Sequence, residues 1–134
     1  MIHQMKHQRH FTTLLFLAFL GLLFTSGCAS SKGVSRGEYV LISINGAAPE
    51  IGEVTLTLTD KDIYGAGPIN LWQASVQFGK VGPMIVTRRG GPEHEMDFES
   101  KLVKSLEGST MTEDGNTLVF TKGDMVVTFK PSGK

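Results

Sequence analysis

Cysteine is nearly missing from this chain: its 134 residues include one, Cys28. An intramolecular disulfide is therefore excluded, and the fold must hold by packing alone. Histidine is scarce after the first ten residues, where only His94 follows. A Ser-His-Asp arrangement would have to be built on it, and no strand-to-helix nucleophile elbow accompanies it. An excess of charge of one sign is missing as well. Removing Lys6 and Arg9 with the first 27 residues leaves 11 basic side chains against 13 acidic ones, which gives no electrostatic basis for binding nucleic acid or anionic lipid. Long apolar runs are limited to Phe11–Phe24, 14 residues, short of the roughly 20 that cross a bilayer as a helix.

That run has a location signal around it. Lys6 and Arg9 precede it and the small residues Thr25-Ser26-Gly27-Cys28 follow, the layout of an export signal that is later removed. The four residues resemble the lipobox of bacterial lipoproteins, with threonine where leucine is usual. The resemblance implies that Cys28 is acylated with palmitate-type chains and becomes the first mature residue. One acyl chain anchors marginally, at about 0.8 kcal/mol per buried CH₂, and several anchor firmly. Ala29 stands where an aspartate often signals inner-membrane retention, so the expected location is the outer membrane, facing the periplasm. Residues 1–27 are thus expected to be the signal, 28–36 the lipidated cysteine and a small, polar tether, and 37–134 one folded domain.

Within that domain the pattern is mostly of period two. Val40, Ile42 and Ile44 alternate before Asn45-Gly46, and Val54, Leu56 and Leu58 alternate with Thr55, Thr57 and Thr59, as half-buried strands do. A short segment runs from Asp62 to Ala66. Trp72, Ala74, Val76 and Phe78 then alternate with Leu71, Gln73, Ser75 and Gln77. Gly79-Lys80 reads as a glycine-first hairpin turn leading into a strand over Val81–Thr87. Three further strands, near 109–113, 117–121 and 124–130, are separated by Asp114-Gly115-Asn116 and Lys122-Gly123. The spacing predicts one helix, opening at Pro92, with Glu93, Glu95, Asp97 and Glu99 toward its positive end and Lys101 and Lys104 toward its negative end. Phe98, Leu102 and Leu106 form its apolar stripe, and Gly108 is its stop. The sum is a mainly β, α+β fold: about eight antiparallel strands in a small lipocalin-like barrel or curled sheet, with one amphipathic helix.

In that order the elements resemble the META/HslJ-like domain of bacterial envelope lipoproteins. Tyr39-Val40-Leu41 with Asn45-Gly46 matches its first strand. Gly65-Ala66-Gly67-Pro68-Ile69-Asn70 matches a Gly-x-Gly-Cys-Asn segment with one extra residue and no cysteine. Thr87-Arg88-Arg89-Gly90-Gly91 matches a Thr-Arg-x-x-Cys turn, again without its cysteine, and Glu99, Leu102 and Leu106 fit its helix. Both recurrent cysteines are replaced together, by Ile69 and Gly91 or close neighbours, as expected if they normally face each other. The resemblance implies a non-enzymatic domain associated with envelope integrity, heat shock and antibiotic tolerance, and it brings no catalytic residues and no cofactor.

Several residues invite chemistry. Glu93-His94-Glu95 are metal-type ligands but are consecutive and point apart, so no metal site is expected. Arg88 and Arg89, beside two glycines and a helix start, suit an anion. Trp72 and Phe78 would line a small apolar pocket if the barrel were open at one end. Lys122, in Phe120-Thr121-Lys122-Gly123-Asp124, faintly resembles the lysine loop of membrane-bound lysozyme inhibitors, whose full signature is not completed. The expectation is therefore a monomer held to the membrane through Cys28, with a periplasmic protein partner and no nucleic acid. Inhibition of a periplasmic hydrolase and carriage of a small apolar ligand are the alternatives.

Overall fold

Hairpin after hairpin, with turns of two or three residues between most strands, gives an antiparallel sheet that curls until its edges meet. A computed structural model describes residues 36–133; the expected signal, Cys28 and the expected tether lie outside the described residues. The elements are β1 (Gly37–Ile44), β2 (Thr55–Leu58), β3 (Asp62–Ala66), β4 (Leu71–Gln77), β5 (Lys80–Val81), β6 (Ile85–Val86), α1 (Glu93–Leu106), β7 (Thr110–Asp114), β8 (Thr117–Lys122) and β9 (Met125–Pro131). The sheet runs β3-β2-β1-β9-β8-β7-β5-β4, and β4 pairs back onto β3. Of the two architectures that the sequence allows, the closed barrel forms, and closure leaves few strand edges unpaired.

The eighth stave of the barrel is two short pieces. A continuous strand was expected over Val81–Thr87, yet Val76 faces Val81 while Gln73 faces Ile85, so one extra residue sits between β5 and β6. Pro83, which has no N–H to give to a ladder, lies in this bulge. The preceding turn also differs from expectation. Gln77 pairs with Lys80, so the two-residue loop is Phe78-Gly79, with φ of +51° and +74°. Two consecutive positive φ values belong to a type I′ hairpin, whose twist suits the flanking strands. Phe78 is thereby moved off the inward face of β4 and onto the turn.

Inward-facing side chains fill the barrel. Leu56, Ile63, Val81, Leu118, Phe120, Val127 and Phe129 are essentially inaccessible to solvent, and the Phe120 and Phe129 rings meet edge to face at 5.6 Å, a favoured aromatic geometry. Trp72 joins this core at 2% exposure. Its ring lies over Gly65, the residue opposite it on β3, where any added Cβ would collide with the indole.

Strand direction sorts the connections into two groups. The turns after β2, β4 and β7 lie at the end where β1 begins, here the tether end. The segments after β3 and β8 lie at the opposite, helix end. There α1 is fastened to the connection before β4 and to the end of β8. Pro92 opens the helix, Glu93 and Glu95 occupy its first turn, and Lys104 its last. Gly108 follows the C-cap residue Glu107 with φ +73°, the left-handed stop that glycine adopts without strain. Leu102 and Leu106 are fully buried.

Candidate functional site

The most concentrated polar arrangement lies where α1 meets the loops around β4. Glu99 sits on the helix face that also carries Leu102 and Leu106, so the fold buries it at 3% exposure. Its Oε2 accepts the main-chain N–H of Ile69 at 3.1 Å and of Asn70 at 2.9 Å, and its Oε1 accepts Asn70 Nδ2 at 2.5 Å. Asn70 Oδ1 in turn accepts the Arg89 N–H at 2.7 Å and the Thr87 hydroxyl at 2.8 Å. Three segments distant in sequence are thus joined by one carboxylate and one amide. Gly67 makes the approach possible, because a Cβ there would strike Glu99 Oε2.

These groups saturate one another, which fits a structural fastening. A catalytic carboxylate would instead keep a face free for the reacting atom. Above the fastening lies a shallow groove of about 290 Å³ between α1 and β6, lined by Asn70, Val86, Met96, Glu99, Ser100, Val103 and Lys104. Val86, Met96 and Val103 give it apolar wall, the fastened Asn70 and Glu99 give it polar atoms, and Lys104 and Ser100 bring an amine and a hydroxyl. At this volume it takes a side chain or a very small molecule.

The residues singled out from sequence do not gather there. Trp72 is in the core, and its indole N–H has no hydrogen-bond partner. Phe78 is fully exposed at the tether end, so the two do not line a common pocket. The cause is the one-residue difference in the hairpin. Lys122 is drawn away from its turn: its Nζ donates to the Lys104 and Glu107 carbonyls at 2.8 Å each. An ammonium at the negative end of a helix is well placed, and it is not free to reach a partner as an inhibitory loop would need. Arg88 and Arg89 are exposed, but the Arg89 N–H is spent on Asn70, and Glu93 and Glu95 occupy the helix start that an anion would approach. Among the described residues no group of three or more His, Cys, Asp or Glu side chains gathers as metal ligands.

The fastening is not legible in the sequence, where Glu99 reads as one more acid at the positive end of a helix and as part of the family's helix pattern. One signal was available: Glu99 lies three and seven residues before Leu102 and Leu106, on their stripe. Asn70 had no signal apart from its place in the Gly-x-Gly segment.

Residues 32–133 match the META domain family. The chain belongs to that family. A search of curated proteins found no match. Among solved structures, an NMR structure of a protein superposes with a TM-score of 0.57 at 16% identity, over 72% of this chain and 90% of that one. At that identity the likeness shows the fold alone. Most residues of the META-type motifs have a structural role in this barrel. Tyr39 and Leu41 are core residues. Asn45 and Gly46, with φ of +50° and +80°, form a turn whose Asn45 Oδ1 accepts the Val126 N–H at 2.8 Å. Gly65 admits the Trp72 ring, Gly67 admits Glu99, and Thr87 and Arg89 are held by Asn70. Ile69 and Gly91, at or next to the positions where the resemblance implies cysteines, face each other: a Cβ on Gly91 would lie 2.6 Å from Ile69 Cδ1.

Proposed function

We propose that this META domain protein is lipid-anchored in the bacterial envelope through Cys28, faces the periplasm, and contributes to envelope integrity under stress by binding or scaffolding, without catalysis. The observation that carries the anchor is Thr25-Ser26-Gly27-Cys28 directly after the apolar run Phe11–Phe24. The non-enzymatic part draws support from the Glu99–Asn70 arrangement, whose polar groups are consumed within the fold. The α1–β6 groove, with Lys104 and Ser100 at its rim, is the surface offered for an apolar side chain of a periplasmic partner. The inhibitor and carrier alternatives draw less support, since Lys122 is occupied by the helix carbonyls and Trp72 is packed in the core.

Membrane fractionation and intact-mass analysis of the full chain, wild type beside Cys28→Ser, test the anchor. The expected result is a membrane-bound protein that begins at Cys28 and carries acyl chains, and a soluble, unmodified variant. An unmodified soluble wild type would make this a secreted domain and remove the membrane from the reading.

A further inference from the structure

Phe78 is the most exposed large apolar side chain among the described residues, and its backbone is left-handed at φ +51°. Each feature opposes stability. An exposed aromatic gains nothing from burial, and positive φ in a bulky residue is strained, whereas asparagine or glycine would hold a type I′ turn at little cost. Folding alone gives no reason for phenylalanine here. Residues held in sparsely populated backbone regions are a recognised mark of functional segments.

Its position adds a second, independent observation. Strand direction places the Phe78-Gly79 turn at the tether end, with Gly37 at the start of β1 and the turn around Asp60, which is ion-paired to Arg36. The chain outside the described residues joins at Arg36. From Cys28 to Arg36 it can span at most about 27 Å, so a barrel tethered at Cys28 is kept close to the bilayer and can turn this end toward it. The helix end, with the α1–β6 groove, is at the opposite side of the barrel.

Resting on the anchor reading above, we propose that Phe78 is a membrane-contact residue: it enters the interface of the bilayer to which the chain is tethered and orients the barrel with its groove toward the periplasm. An aromatic ring on a hairpin tip suits the headgroup boundary. Lys61, Lys80, Glu113 and Asp114 near this end carry mixed charge, so the contact depends on apolar insertion and persists at high salt.

The native chain has one tryptophan, Trp72, which is buried in the core and about 20 Å along β4 from Phe78 at the usual rise per residue. Phe78→Trp therefore adds a reporter against a protected background. The full-length protein and this variant are reconstituted in phosphatidylethanolamine–phosphatidylglycerol vesicles with and without brominated acyl chains, and the mass at Cys28 is read on the same samples. The expected result is emission from position 78 that shifts to the blue, loses most of its intensity to brominated lipid and is shielded from aqueous iodide, while wild-type emission is unchanged. Acylated protein whose added emission ignores brominated lipid and is quenched by iodide overturns this inference alone. Shielding from both quenchers places the side chain in a protein pocket and also overturns it. Absence of acyl mass overturns the anchor reading, and this inference with it.

Discussion

Glu99 shows how much one side chain can organise in a domain of this size. A buried polar group is costly unless its hydrogen-bonding capacity is met, and here two carboxylate oxygens meet three N–H donors. Glu99→Gln keeps the shape but turns one acceptor oxygen into an amide N–H₂ donor facing Asn70 Nδ2 or the main-chain N–H donors. It is expected to lower stability by about 1–3 kcal/mol, read as a lower urea midpoint; a midpoint equal to wild type would show that the fastening contributes little. Tyr39 gives a second test at this level. Burial, and then the negative charge of Glu113, raise its phenol above the ordinary value of 10.0. The folded state then holds its proton more tightly than the unfolded chain. Stability is unaffected below the unfolded value and falls as pH rises past it through the folded one. Urea unfolding between about pH 9 and 11 should show wild type losing stability faster than Tyr39→Phe; parallel losses would remove Tyr39 as the cause.

Among the elements, the helix is the piece that the barrel cannot supply by itself. It is fastened by Glu99 to the connection before β4, by the Glu107 carboxylate to the Met84 N–H at 2.7 Å, and by Lys122 to its last carbonyls. The loop that enters it passes Ile69 at Gly91. A Cβ on Gly91 lies 2.6 Å from Cδ1 and 3.0 Å from Cγ1 of Ile69, so two cysteines there would be within disulfide reach. In a Cys28→Ser background, Ile69→Cys with Gly91→Cys is expected to oxidise spontaneously and stabilise by about 2–4 kcal/mol. The checks are a thiol assay and the melting temperature with and without reductant. Persistent free thiols under oxidising conditions would show that the two segments do not meet in solution.

For the whole molecule, the barrel separates two ends with different surfaces. One carries the chain's link to Cys28 and the fully exposed Phe78, and the other carries α1 and its groove. In the proposed arrangement the link to Cys28 faces the membrane and the groove at the other end stays open to a partner. The fractionation and quenching experiments above bear on this arrangement as a whole.

Period-two alternation in Val54–Thr59 and Leu71–Gln77, and the four-residue spacing of Phe98, Leu102 and Leu106, were enough to place these strands, the helix and its stripe, because these patterns are local consequences of backbone geometry. The order of short motifs was enough for the family, since many of their residues, among them Asn45, Gly65, Gly67, Asn70 and Thr87, answer a steric or hydrogen-bonding demand of this barrel. Three things waited for the tertiary structure. The hairpin register depended on whether Phe78 or Lys80 took the turn, a one-residue choice that decides which face a side chain occupies. The use of Lys122 depended on where a distant helix ends. The role of Glu99 depended on which loops arrive above it. Contacts between residues 29 to 30 positions apart, as between Glu99 and Asn70 or Ile69, leave no periodic trace in a sequence, and only folding brings them into reach.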